Sequence, residues 1–200
     1  RGLGDVYKRQ SWYRKHFKLP KTAKGKKVFI EFEGVRQGAD FYLNGKHIGL
    51  HENGVMAVGF DLTPYLNFTG ENVIAVRTDN DWKYKERATG SRYQWNDNNF
   101  NVNYGGIPKN VWLHITDKLY QTLPLYSNLR TTGVYIYATD ICTKSRKAFV
   151  NAESEVRNEY DKSCNVSYEV CVYDYDGNWV STFKSCLLYT SPSPRDMRRS

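Results

Sequence analysis

The dipeptide Asn44-Gly45, set between the alternating runs 39–43 and 46–50, constrains this chain more than any other short feature. A two-residue hairpin turn needs positive φ at both central positions, and asparagine and glycine reach that region at low cost. The surrounding pattern has the same character. In residues 26–33, Val28, Ile30 and Phe32 alternate with Phe29, Glu31 and Glu33, the two-residue period of a strand with one face buried. Further strands are expected at 12–17, 57–62, 72–78 and 111–116, separated by Pro20, Pro64, Asn67 and Gly70. Short strands with turn signals at this spacing predict an all-β sandwich. A second β pattern begins after a stretch without clean period at 117–130. It comprises 133–139, 146–155 and 165–175, then Asp176-Gly177 as a turn into 179–183. These read as the first strands of an immunoglobulin-like sandwich, which needs roughly 100 residues to close.

The chain ends follow a different logic. Residues 5–10, DVYKRQ, reverse-translate to a DNA segment whose complementary strand, read one base in, encodes CLLYTS, the sequence of 186–191. Two protein ends encoded by opposite strands of one segment resemble a transposase-based library adapter, and such scars are set aside from fold reasoning. The expectation is that 1–10 and 186–200 are adapter-derived. A β-sandwich then occupies 11–117, a linker 118–130, and a truncated immunoglobulin-like sandwich 131–185. Without the two ends the formal charge falls from +8 to +4. No Lys/Arg run follows one face, so nucleic acid is not an expected partner. No apolar run approaches a membrane span. Cys142, Cys164 and Cys171, and His16, His47, His51 and His114, lack metal-ligand spacing, so neither a metal nor another cofactor is expected.

The binding chemistry concentrates in 95–114, WNDNNFNVNYGGIPKNVWLH. A polar run too rich in amide and carboxylate groups for a core leads through two glycines onto a strand. Loops fixed by a rigid sheet are where binding groups tend to sit. The alternative is a solvated connection with its own Asx turns. Gly105-Gly106 does not read as a phosphate loop, because no helix start or Lys-Ser/Thr follows. Trp82, Tyr84, Tyr93 and Trp95 offer broad rings that could stack on a ligand or cover the sandwich. Trp12 and Trp112 are expected in the core, and 83–87, KYKER, as a solvated loop.

Five motifs in order carry a family resemblance: WYRK at 12–15, FYLNGKHIG at 41–49, FDL at 60–62 before Tyr65-Leu66, ENVIAV at 71–76 and NYGGIPKNVWL at 103–113. Together they resemble the front of glycoside hydrolase family 2, which includes β-galactosidases, β-glucuronidases and β-mannosidases. The resemblance spans nearly all of 11–185. It implies a galactose-binding-like jelly roll, then an immunoglobulin-like domain, then a catalytic (β/α)₈ barrel in cis that lies outside this chain. It also implies an exo-acting retaining β-glycosidase, β-galactosidase-like, acting on an oligo- or polysaccharide. Its catalytic residues would all lie on the barrel and none in this fragment, which alone would be inactive. In several members a carboxylate in the loop before the glycine-isoleucine motif reaches the terminal sugar. Here that residue would be Asp97, with Asn96, Asn98, Asn99, Trp95 and Tyr104 as neighbours. The family pattern places the acid six positions before the second glycine, where this chain has Phe100, so Asn101-Val102 must be an insertion. A periplasmic or secreted bacterial protein is implied, and homo-oligomerisation is compatible with it. The alternative is a stand-alone carbohydrate-binding or adhesive sandwich without catalysis.

Overall fold

The structure is a computed structural model that describes residues 10–54, 56–81, 83–92, 105–124, 128–186 and 188–190. The chain divides between Thr116 and Asp117 into two compact units, both built from antiparallel strands.

The first unit is a sandwich. One sheet has the order β1 (Gln10–Lys18), β6 (Glu71–Asp79), β3 (Gly38–Leu43), β4 (Lys46–Glu52). The other has the order β5 (Val58–Asp61), β2 (Lys27–Phe32), β7 (Val111–Thr116). The hairpin between β3 and β4 turns at Asn44 (φ 50°) and Gly45 (φ 81°), as the dipeptide predicts. Asn44 also ties the tip to β6: its amide donates to Asn72 Oδ1 (2.9 Å), and its carbonyl oxygen accepts from Val73 N (2.9 Å). Asn72 is fully buried and spends its own amide on Asn67 O (2.8 Å). A buried polar group so completely paired fixes register without a desolvation penalty.

The inward faces of the two sheets meet around Phe41, whose ring centroid lies 4.9 Å from that of Phe32 and 4.6 Å from that of Phe60. Val28, Leu43, Leu62 and Val35 close the core with no exposed surface. Gly49 is required here, because any β-carbon on it would collide with the Phe60 ring.

Two expectations fail at the sheet margins. Trp12 and Trp112 lie on strands but are half exposed, at 49 % and 50 %, not in the core. Both fall on outward faces. Trp12 packs on Tyr42 (5.7 Å between centroids), with Arg14 over its ring, and Trp112 donates its indole N–H to Glu33 (2.7 Å). Period two assigns each residue to a face of its strand, but it does not say which face is inward on an edge.

Among the described residues, the second unit comprises four antiparallel pairs: β9 (Val134–Cys142) with β10 (Lys147–Ser154), β8 (Leu119–Gln121) with β11 (Val156–Asn158), β13 (Glu169–Tyr173) with β14 (Trp179–Lys184), and β12 (Cys164–Val166) with β15 (Leu188–Thr190). The β13–β14 turn puts its positive φ on Gly177 (84°), with Gly177 N donating to Asp174 O (3.1 Å) and Asp174 N to Asn178 O (2.9 Å). That is a three-residue loop with a glycine bulge, and it contains Asp176-Gly177 as expected. The stretch 118–130, read as a linker, supplies β8 to this unit. β15 falls within 186–200 and pairs with β12 as any short extended piece can at a free edge. Tyr120 is the one buried apolar side chain here among the described residues, while Ile136, Phe149, Trp179 and Val180 stay exposed.

Candidate functional site

The site residues expected from sequence, Trp95, Asn96, Asp97, Asn98, Asn99 and Tyr104, lie outside the described residues, as do Trp82 and Tyr93. The segments on both sides of them are described, and both are fastened to the first unit.

On the C-terminal side, Gly105-Gly106 is fixed by a two-bond bridge: Arg36 N donates to Gly106 O (3.0 Å), and Gly106 N to Arg36 O (3.1 Å). Neither glycine can be replaced without displacement. A β-carbon on Gly105 would lie 2.6 Å from the side chain of Asn80. One on Gly106, already at φ 102°, would run into the Tyr13 hydroxyl. The close approach of the Asn80 and Tyr13 side chains is the physical content of this glycine pair.

On the N-terminal side, the chain leaves β6 through Asp79-Asn80-Asp81. The Asp79 carboxylate accepts from Asp81 N (3.1 Å), and that of Asp81 from Lys83 N (2.8 Å), two successive Asx turns. Residues 83–92 then fold back on themselves. Glu86 N donates to Ser91 O (3.0 Å), Gly90 N to Glu86 O (2.8 Å), and Lys85 bridges Arg92. Lys83, Lys85 and Arg87 are exposed, as expected of a solvated loop, but two carboxylates of the four-stranded sheet also grip it. Glu52 Oε1 accepts from the Tyr84 hydroxyl (2.6 Å) and from Arg87 N (2.9 Å). Asp40 receives the Arg87 guanidinium through both oxygens (3.1 and 2.8 Å).

Asp40 is the centre of this grip. Its carboxylate is 4 % exposed and also faces Arg77 Nε at 3.2 Å and His47 Nε2 at 3.1 Å. The Arg77 contact is an ion pair without hydrogen-bond alignment, so its contribution is chiefly Coulombic. Burial opposes ionisation of Asp40, but the hydrogen bonds from Arg87 and His47 and the two guanidinium charges outweigh it. Its carboxyl is therefore held below the usual range. Burial first, and then Glu52, push the Tyr84 phenol well above its ordinary value, so it remains a hydrogen-bond donor.

Asp40 and Arg87 do not stand out in the sequence, because an aspartate inside a strand and an arginine inside a charged run each have a blander reading. The only signal was the mismatch itself: Asp40 sits in a strand that is otherwise apolar, FYL to its C-terminal side. None of these groups is arranged for proton transfer, since each is occupied by its structural partners. Among the described residues, no group of three or more His, Cys, Asp or Glu side chains could hold a metal ion. The arrangement is a mount: it fixes the chain at 83–92 and again at Gly105-Gly106.

Residues 3–113 match the model of the glycosyl hydrolase 2 galactose-binding domain-like family. The chain belongs to glycoside hydrolase family 2. It is 48 % identical over 180 residues to a β-glucuronidase of Formosa agariphila, an alignment covering 90 % of this chain and 18 % of the relative. A β-galactosidase of Thermoanaerobacter pseudethanolicus is 41 % identical over 56 % of this chain and 14 % of its own length. The solved structure of a family 2 β-glucuronidase superposes with a TM-score of 0.81 at 43 % identity, covering 95 % of this chain and 19 % of that one. The chain thus spans about a fifth of the length of such relatives, the N-terminal part of family 2 enzymes.

Proposed function

We propose that this chain is the non-catalytic front of an exo-acting retaining β-glycosidase that removes terminal β-linked sugars, with β-glucuronides favoured over β-galactosides. The single observation that carries the choice of sugar is the 48 % identity to a protein named as a β-glucuronidase along nine-tenths of this chain. The relative named as a β-galactosidase aligns over little more than half of it. This replaces the galactoside preference drawn from the motifs. In such enzymes one carboxyl group protonates the leaving oxygen while the other attacks the anomeric carbon. Both groups belong to the barrel and not to this chain.

The part assigned to this chain is to close one side of the sugar pocket. Asp97 accepts paired hydroxyls of the terminal sugar, as an ionised carboxylate can, with Asn96, Asn98, Asn99, Trp95 and Tyr104 around it. The double mount on Asp40 and Glu52 at one end and on Arg36 at the other supports this reading, because a contact loop works only if it is held in place. The test is to express the complete reading frame and compare kcat/KM on aryl β-glucuronide and aryl β-galactoside. A higher value on the galactoside refutes the choice of sugar. An Asp97→Ala enzyme whose kcat/KM stays within about twofold removes the loop's role. Hydrolysis by the purified 200-residue chain would overturn the non-catalytic reading.

A further inference from the structure

The outward face of the four-stranded sheet carries a patch that neither the core nor the mount accounts for. On β1, Trp12 and Arg14 alternate with Tyr13; on β3, Asp40 and Tyr42 alternate with the buried Phe41. β6 runs between the two strands, and its register sets Arg77 between Trp12 and Asp40, and Ala75 between Arg14 and Tyr42. These side chains therefore share one face. Ala75 contributes only a methyl group, and Trp12 packs on Tyr42 beside it, with 5.7 Å between ring centroids. Trp12 still keeps half of its surface in solvent. An exposed tryptophan alone needs no explanation. This one stands among polar groups that have donors to spare.

Among the described residues, Arg14 makes no hydrogen bond or ion pair, and its guanidinium only lies over the Trp12 ring, 5.4 Å from the centroid. Arg77 meets Asp40 through Nε without hydrogen-bond alignment, so its two terminal nitrogens keep their donors. The Tyr42 hydroxyl is likewise unbonded among the described residues. The one carboxylate of the patch, Asp40, is already met by Arg77, Arg87 and His47. Three guanidinium groups thus face one carboxylate, and the patch suits an anion. A tryptophan gives a pyranose ring a broad apolar surface to stack on, and a guanidinium gives a carboxylate a forked pair of donors. We propose that this patch is a binding site for an acidic glycan, with a pyranose ring on Trp12 and its carboxylate held by Arg14 and Arg77. A sheet face cannot enclose a ligand as a pocket does, so its occupant is an internal stretch of a polysaccharide and not a free sugar. The choice of a uronate rests on the glucuronide reading above, whereas the site itself rests on the ring and the unspent donors.

The test is affinity electrophoresis of the full-length protein in native gels holding soluble polyglucuronate, with a neutral glucan and polyglutamate as comparisons. Retardation is expected in polyglucuronate alone. Trp12→Ala and Arg14→Glu should each weaken the apparent affinity at least roughly fivefold. Lys46→Glu, the same change of charge at an exposed position of β4, should leave it unaltered. Arg14→Glu carries the test if Trp12→Ala does not fold, because Arg14 is exposed and spends no hydrogen bond among the described residues. Equal retardation in polyglutamate, or an equal loss in Lys46→Glu, reduces the effect to net charge and overturns the site. Unchanged retardation in both patch variants also overturns it, since the glycan then binds elsewhere. A changed oligomeric state in Arg14→Glu with unchanged retardation identifies a second copy as the occupant, and overturns it too. The choice of sugar fails separately. A protein that prefers the aryl β-galactoside but is retarded by polyglucuronate through Trp12 and Arg14 loses the glucuronide reading and keeps the site.

Discussion

Asp40→Asn is the perturbation that tests whether 83–92 is mounted or merely near the sheet. The change keeps the size of the side chain and one acceptor oxygen. It removes the negative charge that Arg87 and Arg77 share at 2.8 and 3.2 Å. Removing one partner of a fully buried ion pair costs about 3–5 kcal/mol, and an exposed pair contributes about 0–1 kcal/mol. Here the carboxylate is buried, while the Arg87 side chain is 50 % exposed and solvent screens its arm. The expected cost of releasing the segment is therefore intermediate, about 1–2 kcal/mol. The segment carries its own reporters, since Lys83, Lys85, Arg87 and Arg92 are tryptic sites. Where cleavage follows local opening, that cost raises the cleavage rate after Lys85 by roughly 5–30-fold. A rate within about twofold of wild type would refute the mount. The pH dependence follows from the same group. Asp40 has a folded pKa below its unfolded value of about 3.9. Its stabilisation is complete above that unfolded value and lost as the pH falls through the lowered folded one. Hydrogen exchange in 83–92, measured relative to the intrinsic amide rate at each pH, should therefore accelerate at the acid end in wild type. Asp40→Asn should show little further acceleration there, because its charge is already absent.

Two further substitutions probe the other end of the mount and the core. Gly106→Ala must strain a residue at φ 102° and push aside the Tyr13 hydroxyl; a loss of about 1–3 kcal/mol is expected in urea unfolding of the first unit, and an unchanged midpoint would count against the close approach. Phe41→Ala removes a ring packed between Phe32 and Phe60 with no exposed surface, so about 3–5 kcal/mol should be lost in urea unfolding, and a loss under about 1 kcal/mol would count against that packing.

What the sequence revealed divides along a physical line. Local rules predicted the strands. Residues 72–78 became β6 and 111–116 became β7, because side-chain alternation and turn residues act within a few positions. The Asn44-Gly45 turn needed nothing beyond its own dihedral preferences. Asp176-Gly177 formed the expected hairpin turn, and its loop length was set by the Asp174 carboxylate, which accepts from Asp176 N and Asn178 N, a choice made outside the dipeptide. Trp12 and Trp112 were misjudged for a related reason. Hydrophobicity ranks a tryptophan as inward, but on an edge strand the inward direction depends on what the opposite sheet provides, and that is a tertiary fact. The mount was the least visible, since Asp40 and Arg87 are 47 positions apart and neither is unusual alone. Their pairing becomes necessary only when β3 is placed beside β6 and the chain leaving β6 returns across the same face. A carboxylate on a strand that is otherwise apolar is then a question about a distant cation. In this chain the answer lies in the one segment whose charges had looked sufficient reason to leave it in water.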